Sequence, residues 1–141
     1  MAIYNKDIKM SCHKIALFGE AEKGEFCFPL AFSQLPILAD TLGHPPDGSY
    51  GLHLAIRTLI FEKDILYVRV KEEGFSLQDY ERGLYLLKQN HPSHPLSAIC
   101  MPGVGHARIV DQALDLCRLH SAILITTEKD FYDYMTGFNA S

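Results

Sequence analysis

The sequence predicts an α/β fold of three layers: a mostly parallel, Rossmann-like sheet of about four strands, with helices on both faces. Four short apolar runs carry little polar alternation, which is typical of strands that are buried on both faces. The longer segments between them place apolar residues at helical spacing. Because strands that alternate with helices usually run parallel, the helices are expected to cover both sides of the sheet.

The first half of the chain supplies one strand and two helices. The strand is expected at 15–18, and a loop leads from it to a helix for which Ser33 is a suitable N-cap. This helix is expected to end near Gly43, which can adopt the conformation of a helix C-cap. A second helix is expected over 49–62, because its apolar residues form one face.

The second half continues the alternation of strands and helices. The expected elements are a strand over 65–70, a helix from Ser76, a strand over 96–101, a helix over 106–120, a strand over 122–126 and a short helix from Thr127. Arg69 lies inside the clearest of these strands. Because an unpaired buried charge is costly, its guanidinium is expected to reach a carboxylate, Glu20 or Glu22, or backbone carbonyls at the end of the strand.

Length and composition indicate one folded α/β domain over residues 1–141, of which 1–13 form a flexible arm or an edge strand. Hydrophobic residues make up 48% of the chain and charged residues 21%, as in ordinary globular proteins. The formal net charge of −4 offers no basic surface, so neither nucleic acid nor a membrane is expected as a partner. With no signal peptide and no membrane-spanning run, the protein is expected to be cytoplasmic.

The glycine turn over 19–24 superficially has the form of a phosphate-binding loop. A Walker loop needs Lys and Ser or Thr directly after its second glycine, whereas Glu25 and Phe26 stand there in this chain. Two further carboxylates lie inside the turn and would repel a phosphate. The sequence therefore favours an exposed connecting turn, and no cofactor is predicted.

Cysteine and histidine residues suggest two kinds of site. Cys100 and His106 could form a nucleophile and its base, but the apolar run before Cys100 favours a buried thiol. The four cysteines form no C-x-x-C pair, and buried reduced thiols are expected. His91 and His94 lack a third ligand, as does the pair at 12–13. No residue is assigned as a catalytic, cofactor or metal-binding residue.

Carboxylates near two strand ends leave one enzymatic alternative open. The stretch 126–131 resembles the acid-bearing strand end of PIN-type nucleases, which gather carboxylates around metal ions. Such a site in this chain would use Glu20, Glu128 and Asp130, with Glu20 in the place of the usual aspartate. The alternative function is therefore a small metal-dependent nuclease or hydrolase, provided that these three side chains converge.

Several stretches, read in order, have the arrangement of a known family. They are an apolar strand with a Lys-Gly turn at 15–24, a hydrophobic-glycine helix end at 35–43, an Arg-Val strand end at 67–70, and a Pro-Gly step at 99–104 before a helix. In this order, residues 14–126 resemble the core domain of the sheath proteins of contractile phage tails and related injection machines.

This resemblance implies a non-enzymatic structural subunit that works through protein contacts. The implied partners are further copies of the chain or proteins of the tail-tube or baseplate type, in an oligomer incorporated into a phage-like particle. Sheath subunits also carry a further C-terminal region and terminal arms, so the expected counterpart of this sequence is their core domain alone.

Overall fold

The computed structural model describes residues 13–89 and 94–137. The predictions for residues 1–12, for Cys12 and for His91 lie outside these residues. The strands are β1 (Lys14–Gly19), β2 (Leu30–Phe32), β3 (Ile65–Arg69), β4 (Leu96–Cys100) and β5 (Ile123–Ile125). The helices are α1 (Leu35–Leu42), α2 (Gly51–Ile60), α3 (Leu77–Gln89), α4 (Ala107–His120) and α5 (Glu128–Tyr132), and a π-helical turn follows at Asp133–Gly137.

The strands form one sheet in the order β2-β3-β1-β4-β5. The four strands β3, β1, β4 and β5 run parallel, and only β2 is antiparallel to its neighbour. The prediction of a mostly parallel α/β sheet is confirmed, with five strands in place of about four.

The sequence interpretation missed β2. The segment was expected to be loop until Ser33, whereas Leu30–Phe32 pairs antiparallel with β3. The helix also begins later than expected, since Gln34 occupies the N-cap position and a proline stands in the first turn. The helix ends at Gly43, as predicted, but its φ of 77° and ψ of −148° do not form the left-handed helical conformation that was expected for this C-cap.

The apolar core lies on the two faces of the sheet. One face packs against α1, α2, α5 and the π-helical turn, and the other packs against α3 and α4. Among the described residues, Tyr67, Tyr80, Phe18 and Phe131 are the largest side chains that are fully buried. The helices therefore cover both faces of the sheet, as the alternation of elements predicts.

The carboxyl ends of the parallel strands lie at one edge of the sheet. β1 lies in the middle of the sheet, between β3 and β4. After β1, the chain forms β2 and β3 on one side of β1, and it later forms β4 and β5 on the other side. In open α/β sheets, the crevice at such a change of direction is the usual place for a ligand. The loops that follow β1, β3 and β4 therefore form the candidate site.

Candidate functional site

The carboxylate of Glu73 lies beside the end of β1, where the path of the chain changes from one side of the sheet to the other. This place is called the switch of direction. Its Oε2 accepts hydrogen bonds from the backbone N–H groups of Glu20 (2.9 Å) and Gly51 (2.8 Å). Its Oε1 accepts one from the N–H of Tyr50 (2.8 Å). In return, a carboxylate oxygen of Glu20 accepts the N–H of Glu73 at 2.9 Å. Three backbone donors from two distant segments thus converge on one side chain.

Two of these donors belong to the start of α2. The first N–H groups of a helix have no partner within it and carry a partial positive charge, so they favour an anion. In this chain, the anion is the side chain of Glu73, which follows β3. The position that could receive a phosphate or a carboxylate from a ligand is filled by the protein itself.

Gly19 at the end of β1 and Gly51 at the start of α2 are in close contact. A Cβ atom added to Gly51 would lie 2.5 Å from the Cα of Gly19 and 2.9 Å from an Oε atom of Glu73. A Cβ on Gly19 would meet the hydroxyl of Tyr67 at 2.5 Å. These two glycines therefore give room for a backbone contact that any side chain would block.

Two buried tyrosines brace the same loops. The hydroxyl of Tyr67 donates to the carbonyl of Glu20 at 2.8 Å, and the hydroxyl of Tyr80 accepts the N–H of Gly74 at 2.8 Å. Burial raises the pKa of both phenols well above the usual value, so they remain neutral. Gly74 also lies against the loop that follows β4, where its Cβ would be 2.8 Å from the carbonyl of Gly103.

The predicted glycine turn over 19–24 leads from β1 toward β2. Its residues 22–24 are exposed, whereas Gly19 and Ala21 are buried. The N–H groups of Glu22 and Lys23 both donate to the carbonyl of Leu42, at 3.0 and 3.1 Å. The carboxylate of Glu22 accepts the N–H of His44 at 2.9 Å. These hydrogen bonds tie the turn to the end of α1, as expected for a connecting turn.

Arg69 lies at the end of β3, as predicted, and its guanidinium donates to the carbonyl of Gly24. The guanidinium carbon also lies 4.0 Å from the centre of the Phe26 ring, which is a cation–π distance. The carbonyl prediction is confirmed, but the expected acidic partner is wrong. Glu20 and Glu22 instead accept backbone N–H groups.

Cys100 and His106 do not form a nucleophile and base. Cys100 is fully buried among core residues on the face of the sheet that α2 covers, whereas His106 caps α4 on the other face. The Nδ1 atom of His106 accepts the N–H of Arg108 at 3.3 Å. Burial raises the pKa of the Cys100 thiol, which keeps it protonated. The prediction of a buried structural thiol is confirmed.

The carboxylates of the nuclease alternative are not collected into a site. Within 13–89 and 94–137, no three His, Cys, Asp or Glu side chains form a group that could hold a metal ion. Glu128 and Asp130 are exposed in the first turn of α5, where Thr127 caps the helix by accepting the Asp130 N–H at 3.1 Å. Glu20 follows β1, and β4 lies between that strand and β5.

A prominent feature that the sequence interpretation missed is Phe75, in the loop after β3. Its side chain is 74% exposed, more than any other large apolar side chain in the described parts of the chain. It borders a groove of about 430 Å³ whose other walls include Leu77, Gly103 and His106. A phenylalanine directly after Glu72-Glu73-Gly74 is the sequence signal for it, since turns normally carry polar residues.

No family model, no curated protein and no solved structure matches the chain. Among the described residues, no helix combines the length and the apolar character needed to cross a membrane.

Proposed function

We propose that the chain is a non-enzymatic subunit that works through contacts with other proteins. The observation that carries this proposal is the position of Glu73. Its carboxylate takes the three backbone donors that a ligand at the switch of direction would use. Cys100, the candidate nucleophile near the same edge, is buried with a raised pKa. The usual ligand position of an α/β sheet is thus taken up by internal contacts.

Exposed apolar groups and sheet edges support the same proposal. Within the described sheet, β2 and β5 are the outer strands, and Ile123 of β5 is 47% exposed. An outer strand presents backbone groups that can pair with a strand from another chain. Phe75 adds a large exposed apolar side chain at the carboxyl edge of the sheet.

The resemblance to contractile tail sheaths makes the proposal more specific. It assigns the chain to a cytoplasmic assembly in which it binds further copies of itself, or tail-tube or baseplate-type proteins, in a phage-like particle. The support is the order of the motifs within residues 14–126 together with the α/β fold.

The experiment measures assembly of the full chain. Sedimentation velocity at rising concentration should show self-association, and negative-stain electron microscopy would show tubes or rings if the assembly is sheath-like. Cross-linking in the cells that express the protein would identify a partner. A monomer at all concentrations with no cross-linked partner would contradict the proposal.

Nuclease assays distinguish the enzymatic alternative. Cleavage of single-stranded RNA in the presence of Mn²⁺, lost in both Glu20→Gln and Asp130→Asn, would replace the proposed function by a metal-dependent reaction. The matched control is Asp115→Asn, because Asp115 is an exposed acid that pairs with Arg118 on α4.

A further inference from the structure

We propose that Phe75 is the anchor of a symmetric contact between two copies of this chain. The inference rests on the proposed function and specifies which surface carries self-association. In this contact, the groove beside Phe75 of one copy binds the Phe75 side chain of the other copy. The supporting observations are the exposure of the ring, the bracing of its loop, the adjacent groove and the charges around it.

The loop that carries Phe75 is held in one conformation by several hydrogen bonds. The N–H groups of Phe75 and Ser76 both donate to the carbonyl of Glu72 at 3.1 Å. On the preceding side, Glu73 binds the start of α2 and the N–H of Gly74 donates to Tyr80. An apolar side chain that is exposed on a braced loop loses little conformational entropy on binding, which favours an interface anchor.

The groove beside Phe75 can accept an aromatic ring. Its walls are Gly74, Leu77, Gly103, Gly105 and His106, together with Phe75 itself. Its volume is about 430 Å³, and it is open to solvent. Because the ring and the groove are adjacent, a two-fold axis between two copies would place each Phe75 in the groove of the other. A two-fold contact of this kind uses the same patch on both subunits.

Charges around the ring favour a second copy over other partners. Lys71 and Glu72 are both exposed, and neither forms a salt bridge with another residue of the described chain. Arg108 lines a second groove that Phe75 also borders, and it forms a salt bridge with Glu81 at 2.8 Å. The patch around Phe75, formed by Lys71, Glu72 and Arg108, thus carries positive and negative charges, whereas the whole chain has a net charge of −4. A patch with both signs complements a second copy of itself across a two-fold axis.

The first test compares two exposed apolar residues in the full chain. Sedimentation equilibrium should show a monomer–dimer equilibrium, and Phe75→Ala should raise the dissociation constant about 30-fold or more. Ile60→Ala is the matched control, because Ile60 is 63% exposed and ends α2 at the opposite edge of the sheet. It should leave the constant within about twofold of the wild type.

The second test uses charge complementation between variants. Lys71→Glu makes this part of the patch acidic and Glu72→Lys makes it basic, so each variant alone should dimerise at least about tenfold more weakly than the wild type. An equimolar mixture of the two should recover dimers, since the acidic patch of one faces the basic patch of the other. Circular dichroism of each variant verifies that the fold is intact.

Each outcome has a defined meaning. Weakening by Phe75→Ala together with recovery in the mixture supports the proposal. Self-association that is unchanged in Phe75→Ala overturns it but leaves the proposed function standing on another surface. A wild-type chain that stays monomeric also overturns it, and the cross-linking experiment then decides the proposed function separately.

Discussion

Glu20 and Glu73 are joined by two reciprocal hydrogen bonds, because each carboxylate accepts the backbone N–H of the other residue at 2.9 Å. The two residues are 53 positions apart in the chain, and they connect the loops that follow the neighbouring strands β1 and β3. Both bonds have a charged acceptor, which makes them stronger than bonds between neutral groups.

Replacing Glu73 tests this connection. Glu73→Ala leaves three backbone N–H groups without their acceptor and should lower the free energy of unfolding by about 2–3 kcal/mol. Glu73→Gln keeps one acceptor oxygen and should lose about half as much. Urea denaturation measures both. Glu25→Ala, at an exposed acid in the turn after β1, is the control and should change stability by less than about 0.5 kcal/mol.

The contact between Gly19 and Gly51 predicts an unusual result for an alanine in a helix. Gly51→Ala should cost about 2 kcal/mol, because the new Cβ meets backbone 2.5 Å away and outweighs the higher helix propensity of alanine. Gly137→Ala is the control, since a Cβ there has open space. Thermal unfolding that shows Gly51→Ala to be neutral or stabilising would contradict the packing described for α2.

Arg69 should contribute only modestly to stability. Arg69→Met removes the bond to Gly24 and the cation–π contact with Phe26, but the strand end is partly exposed to water. The expected loss is about 1 kcal/mol in urea denaturation. A loss above about 3 kcal/mol would contradict this modest role, because it would mean that Arg69 neutralises a buried charge.

Cys27 is half-buried yet is expected to react slowly with alkylating reagents. Burial, followed by the hydrogen bond from its thiol to Asp79, raises the pKa of Cys27 to about 11. Less thiolate is present at pH 8 than for an ordinary thiol, so alkylation should be about tenfold slower. Mass spectrometry of iodoacetamide-treated protein should show a rate that still rises above pH 9. Asp79→Asn should speed the reaction, and a plateau near pH 9 in the wild type would contradict the raised pKa.

Alkaline pH should destabilise the protein partly through Cys100. Its folded pKa lies above the unfolded value near 9, so the unfolded state loses its proton first and stability falls as pH rises above about 9. The fall approaches about 1.4 kcal/mol per pH unit for such a thiol once the pH is well above 9. Urea denaturation at pH 8 to 10 should show a shallower decline in Cys100→Ala than in the wild type. Parallel declines in the two proteins would rule out this role.

The parallel strands could be predicted because each is an apolar run, as in Ile65–Arg69. The run at Leu30–Phe32 is only three residues long and follows Pro29, so its pairing depends on the distant β3. β5 is equally short and also lies at the edge of the sheet, but it follows a helix at the place where the alternation of elements predicts a parallel strand. β2 interrupts that alternation between β1 and α1, so the local pattern did not identify it.

The site residues show the same limit. Cys100 could be assigned to the core because it continues an apolar run. For Glu73, the sequence indicates only a position near the end of a strand. The three backbone N–H groups that donate to its carboxylate lie 22, 23 and 53 positions away. The partner of Arg69 was mistaken for a similar reason. Glu20 and Glu22 already bind backbone groups, and this becomes visible only when the loops are placed in space.

The capping of α2 by Glu73 has a consequence for the order of folding. The first turn of this helix is completed by a side chain from the loop after β3, 22 and 23 positions further along the chain. We therefore expect this turn to form only once β3 has paired and its loop has turned back. A peptide that covers only 45–62 would therefore fray at its start, since short helices need tertiary contacts. In the intact protein, the amide hydrogens of Tyr50 and Gly51 should exchange with solvent only when the β3 loop detaches, so the start of α2 opens together with the sheet edge.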